Sequence, residues 1–239
     1  MSEKQMSERQ MSSYAGGQGK SLLIFIIFTV SVMLLILSLS IAAPLVIRPF
    51  YYAHITALKL PESTGWSYAE IKQAYDEMMD FCMNGAPFGA GILRWSEEGM
   101  QHFADCRVLF MFDFKMMAAG AVLLVLGHIL YAITGKKTLR PLGKGPLFWA
   151  AAALAAFFIL LVILVAAVDF DSAFVTFHHL FFPGKCNWLF DPAADQIILV
   201  LPEVFFMDAA IFIVVLILLF CVLAVLADRR FFSRRSIKA

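Results

Sequence analysis

The sequence predicts an all-α membrane protein: four transmembrane helices with an extracytoplasmic cap formed by two long loops. Three observations predict it. The 239 residues are 61% hydrophobic and only 15% charged, where a soluble domain carries about 25% charged residues, and the mean hydropathy is +0.80. Four apolar runs each come close to or exceed the ~20 residues that cross a hydrocarbon core. Most lysines and arginines gather in the two termini and one short connection, whereas the two long connections are acidic.

Taken in order, residues 1–20 are polar and glycine-containing, which predicts a disordered tail on the cytoplasmic side. Ser21 to Ala43 carries no charge and is the first span. Ser40-Ile41-Ala42 resembles a signal-peptide cleavage site, but apolar signal regions run only about 7–15 residues, so a retained span is expected. Residues 44–109 form the first outer loop. Within it, Ser67 and Glu70 fit a capping box, and Ile71, Ala74, Tyr75, Met78 and Met79 follow at helical spacing until Asn84-Gly85. Ser96 and Glu98 open a second helix, which carries His102, Asp105, Cys106 and Leu109 and leads through Phe110–Lys115 into the second span, 116–134. His128 is the intramembrane titratable group. Such groups are often functional, although a neutral imidazole bonded to a neighbouring helix, or sitting near the inner interface, is the favoured account.

A short basic connection (Lys136, Lys137, Arg140, Lys144) precedes the third span, 146–168. Residues 169–208 form the second outer loop, 209–227 the fourth span, and 228–239 a basic tail. The bias of positive charge places both termini and the short connection in the cytoplasm. The membrane domain is therefore 21–227, with His102, His178 and His179 sharing the outer face.

No phosphate-binding loop, dinucleotide fingerprint, H-E-x-x-H or C-x-x-C occurs, and no basic-aromatic patch suits nucleic acid. The chemistry that remains belongs to the loop histidines. Histidine titrates near pH 6.5, so two in one site can divide the roles of base and acid. An amine or water would be the nucleophile and a lipid ester the electrophile, with Phe177, Phe181, Phe182 and Trp188 forming a groove for acyl chains. Packed interface histidines explain the same residues without chemistry. So, less economically, does a metal site from His102, Asp105 and Cys106 completed by His178 or His179, or a Cys106 nucleophile. Asp105 and Asp208 are candidates to orient an imidazole. Arg94 and Arg107 are candidates for a phosphate or carboxylate, or else headgroup-level charges. Trp95 and Trp188 fit an aromatic belt. Cys82, Cys106 and Cys186 lie outside the spans, where a disulfide is possible, and spacing does not give the pairing.

The runs E-E-G-M-Q-H-F-A-D-C-R, F-H-H-L-F-F, W-x-F-D-P and L-P-E-x-F-F-x-D-A, in this order along Ser21–Ala227, resemble those of the lipoprotein intramolecular transacylases, four-span proteins of the bacterial cytoplasmic membrane. The resemblance implies transfer of the sn-2 acyl chain of a diacylglyceryl-cysteine to that cysteine's own α-amine. It implies no cofactor and no metal, a diacylated lipoprotein as substrate, and membrane lipids as surroundings. It maps the essential pair to His102 and His178; Asp105, His179, Asp208 and Arg107 are the candidates for supporting roles beside them. A non-catalytic assembly protein and a lipid-ester hydrolase are the alternatives.

Overall fold

The structure, a computed structural model, describes residues 3–134, 144–166 and 169–230. Among these there is no strand, and nine α-helices follow one another: α1 (Glu3–Val46), α2 (Arg48–Ala57), α3 (Leu60–Thr64), α4 (Tyr68–Asn84), α5 (Glu97–Ile133), α6 (Pro146–Ala166), α7 (Phe170–Phe181), α8 (Ile197–Val200) and α9 (Glu203–Asp228). The long helices α1, α5, α6 and α9 contain the four stretches long and apolar enough to cross a membrane. The basic tail beyond Arg230 and most of the basic connection lie outside the described residues.

Two boundaries differ from the sequence expectation, at the starts of α1 and α9, while α5 continues unbroken into its span as expected. The backbone of α1 is helical from Glu3, where a disordered tail to residue 20 was expected; the polar segment simply continues the register of the apolar one. α5 runs 37 residues without a break, about 55 Å at 1.5 Å each, well beyond the ~30 Å of a hydrocarbon core. α9 begins at Glu203, straight after Pro202, six residues ahead of the expected span. Proline disfavours a helix before it but fits a helix start, and an acidic residue there meets the positive end of the helix dipole.

The chain divides into two compact units, each drawing on all four long helices or their flanking segments. The first comprises residues 1–37, 116–157 and 217–239. Here Gly120 and Gly127 lie so close to α1 that a Cβ on Gly120 would stand 3.1 Å from the side chains of Leu34 and Leu35. His128 bonds Leu124 O of its own helix through Nδ1 at 2.8 Å and meets the Phe28 ring edge-on. Its partners are structural. Asp228, 2% exposed, accepts hydrogen bonds from Gly145 N and Phe148 N at the start of α6.

The second unit comprises residues 38–115 and 158–216 and holds the larger core. Its centre is α4. The capping box forms, with Ser67 Oγ accepting from Glu70 N and Ser67 N donating to the Glu70 carboxylate. The expected stripe Ile71, Ala74, Tyr75, Met78 and Met79 is buried. The helix ends where Gly85 takes a left-handed φ of 75°, which a side chain would strain. Tyr51 of α2 stacks on Tyr75 at 3.8 Å and donates to Val200 O of α8 at 2.7 Å. The Arg48 guanidinium joins α2 to Asp76 and Asp80 of α4. These contacts gather both long loops around one core.

Candidate functional site

Two ties bring the loops together where the histidines stand. The first lies at the start of α5. Asp195, 5% exposed, accepts hydrogen bonds from Ser96 N at 2.7 Å and from Ser96 Oγ, while Ser96 Oγ caps α5 by accepting from Gly99 N. A Cβ on Gly99 would lie 2.1 Å from the Asp195 carboxylate, so glycine is required for this approach. Arg94 and Gln196 exchange two further bonds beside it. The second tie is Asp105, whose carboxylate accepts from the Lys185 ammonium and from Asn187 Nδ2. Residues 94–105 are thereby fastened to residues 185–196.

Between these ties His102 of α5 faces His178 of α7. Their ring centroids are 5.8 Å apart, and each residue is 6% exposed. Phe182 and Phe190 close on the His102 ring at 5.0 and 5.4 Å. Phe174 and Trp188 close on the His178 ring at 4.2 and 4.5 Å, with Trp188 stacked nearly parallel. His178 Nδ1 lies 2.8 Å from Phe174 O, one turn earlier in α7. A carbonyl only accepts, so Nδ1 carries the proton and Nε2 has the free lone pair. Burial pushes the His178 pKa below its ordinary value; the bond to Phe174 opposes this and neighbouring His179 adds to it. His102 Nε2 lies 3.4 Å from Cys106 Sγ, and His102 Nδ1 is buried with no hydrogen-bond partner.

The other expected site residues fall into three groups. Phe182 and Trp188 are buried walls of the site, while Phe177 and Phe181 lie exposed side by side on α7, 4.6 Å between rings. Trp188 is thus no interfacial anchor: its Nε1 donates to Lys185 O and its ring covers His178. His179 is exposed and touches Trp188 by an edge. Asp105 is near the pair but is engaged by Lys185 and Asn187 rather than by an imidazole.

Asp208 and Arg107 are elsewhere. Asp208 pairs with His54 Nε2 at 3.1 Å, because Phe205, one turn before it on α9, packs on Phe50 and His54 of α2. Arg107 follows His102 by five positions, about 140° around the helix, and its guanidinium lies over the Phe81 ring. Among the described residues no three His, Cys, Asp or Glu side chains cluster as metal ligands. All four cysteines are free, with Cys82 and Cys221 buried and Cys186 exposed. Sequence reading missed Lys185, Asn187, Asp195 and His54. Each is defined by a partner some 80 to 154 positions away, and no local pattern marks it.

Residues 26–206 match the family model described as lipoprotein intramolecular transacylase Lit. The chain belongs to the Lit family. The in meso structure of the membrane-integral lipoprotein intramolecular transacylase Lit from Bacillus cereus is similar at 28% identity and TM-score 0.78, covering 92% of this chain and 98% of that one. Two further structures of Bacillus cereus Lit, carrying arginine or alanine in place of one histidine, match at 26% identity and TM-score 0.78. They cover 97% and 95% of this chain and all of theirs. No curated protein matches. The chain is thus a multi-pass membrane protein of the Lit family, a family of transacylase enzymes that act on lipoproteins.

Proposed function

We propose that this protein moves the sn-2 acyl chain of a diacylglyceryl-cysteine lipoprotein to the α-amine of the same cysteine, with His102 and His178 as the catalytic residues. The observation that carries the reading is the pair itself: two imidazoles 5.8 Å apart, buried among aromatic rings, drawn from two motifs of a chain that belongs to the Lit family.

His178 is the base, because its Nδ1 proton is held by Phe174 O and its lone pair is on Nε2. As the amine nitrogen bonds the ester carbon, His178 Nε2 takes one amine proton. Negative charge gathers on the former carbonyl oxygen, and His102, whose Nδ1 has no protein partner, donates a hydrogen bond to it. The carbon–oxygen bond to the glyceryl moiety then breaks, and the leaving oxygen receives the proton from His178. An ester becomes an amide and no further reactant is consumed. Donor and acceptor sit in one molecule, so the site chiefly has to orient them. Phe177 and Phe181 offer the adjoining apolar surface for acyl chains. The short basic connection and the basic tail support a cytoplasmic placement of both termini, with the site on the extracytoplasmic side of the bacterial cytoplasmic membrane.

The test is mass spectrometry of lipoprotein N-terminal peptides from cells with and without the protein. N-acyl, S-monoacylglyceryl peptides are expected with the wild type and not with His102→Ala or His178→Ala, each of which still inserts in the membrane. Formation of that product by both variants would reject the pair as catalytic, and release of free fatty acid without N-acyl peptide would indicate a hydrolase.

A further inference from the structure

A neutral imidazole has one N–H, and which nitrogen carries it is decided by what the other nitrogen meets. For His102 the choice matters, since one nitrogen must show a proton to the reacting ester. Cys106 follows His102 by one turn of α5, and its Sγ lies 3.4 Å from His102 Nε2. Phe103, Phe182, Phe190 and His178 pack around the ring, and the nearby Asp105 carboxylate is engaged by Lys185 and Asn187. Sulfur is a weak acceptor, whereas an imidazole nitrogen accepts readily, and the pair is satisfied best when the thiol donates. The ring proton then resides on Nδ1, the buried atom that bonds nothing in the protein. Buried polar atoms without partners are rare and costly, and substrate is the partner this one lacks.

We propose that Cys106 is a positioning residue: its thiol donates to His102 Nε2, holds His102 in the Nδ1–H tautomer, and so presents that N–H to the carbonyl oxygen of the ester being opened. The inference rests on the transacylase reading above. Both histidines then have the same tautomer and opposite uses. His178 spends its N–H on Phe174 and shows a lone pair; His102 spends its lone pair on Cys106 and shows an N–H. The same closeness of sulfur and imidazole would also suit a cysteine nucleophile. In that case sulfur would take the acyl chain as a thioester, release the glyceryl oxygen, and pass the chain to the amine in a second step. An acceptor amine tethered to its donor removes the need for such a relay.

The experiment uses the full-length protein in detergent and a synthetic diacylated lipopeptide, with His102→Ala and His178→Ala measured in parallel. Cys106→Ala is expected to lower kcat roughly 5- to 10-fold, the equivalent of one neutral hydrogen bond, and to leave KM within about twofold. Cys106→Ser, which keeps a donor at that point, is expected to recover at least half of the lost rate. With ¹⁵N-histidine labelling, His102 should show its proton on Nδ1 in the wild type and a mixture of tautomers in Cys106→Ala. Wild-type His102 protonated on Nε2 would overturn the proposal whatever the variants do. So would an unchanged kcat in Cys106→Ala, or a thioester on Cys106 in the intact mass. If the histidine variants stay active, the pair is not catalytic and the proposal fails with that assignment. If they are inactive while Cys106→Ala equals the wild type, only the positioning role fails.

Discussion

At the scale of single residues, the environment of His178 makes a kinetic prediction. Its ring is enclosed by Phe174, Phe182 and Trp188, and burial disfavours the charged form, so its pKa lies below the ordinary histidine value of 6.5. The neutral, proton-accepting form therefore persists at pH 6.5 and is lost only as pH falls through the lowered pKa. The substrate amine titrates higher, at about 7.7–8.0 for an unperturbed α-amine, and must be neutral to attack. kcat/KM for a lipopeptide should therefore rise with pH along a limb set by the amine, near pH 8. The limb in kcat that belongs to His178 should fall below pH 6.5. A kcat limb above 6.5 that shifts with the histidine rather than with the peptide would contradict this account. A sequence shows that His178 sits in F-H-H, but not that the first histidine turns inward and the second outward. That distinction comes from which side of α7 meets His102 of α5 and lies flat against Trp188.

At the scale of elements, what was legible and what was not divide along local and distant interactions. α4 was readable end to end, because its cap, its buried stripe and its terminating glycine all lie within 20 residues and obey helical spacing. The four spans were readable because lipid demands length and apolarity, and both can be counted. The union of the two loops was not readable beyond the inference that they share a face. Its fasteners join residue 96 to 195 and residue 105 to 185 and 187, and a buried aspartate leaves no periodic trace. The same distance explains why the imidazole that Asp208 meets was not legible: only the packing of Phe205 on α2 reveals His54 as its partner. Asp195 supplies the prediction for this scale. Asp195→Ala leaves Ser96 N without its acceptor and loosens the start of α5, at a cost of about 1–3 kcal/mol. Thermal unfolding in detergent should show the loss, and turnover should fall further than stability alone explains, since His102 lies only six positions into the loosened helix. A variant with unchanged unfolding and unchanged turnover would show that the tie does not hold the pair in place.

At the scale of the whole molecule, lipid replaces water as the solvent for much of the surface. Phe157, Ile159, Leu160, Ile163 and Leu164 of α6 are each more than half exposed, an arrangement that would cost roughly 1.5–3 kcal/mol per side chain in water and costs nothing in a bilayer. The direction in which the chain threads that bilayer is then set by its charges, and a cysteine already present can report it. Cys186 is exposed in the loop that carries Lys185 and Asn187, while Cys82 and Cys221 are buried; burial also pushes the Cys82 thiol up to about 12, which keeps it unreactive. A membrane-impermeant maleimide applied to intact cells should label the protein, and Cys186→Ser should abolish most of that label. A cysteine placed at Ser233 in the basic tail should react only after the membrane is opened. The reverse pattern, with Cys186 protected in intact cells and Ser233→Cys labelled, would put the histidine pair on the cytoplasmic side. There it could not meet lipoproteins whose modified cysteine lies at the outer leaflet, and the proposed substrate would have to be abandoned along with the topology.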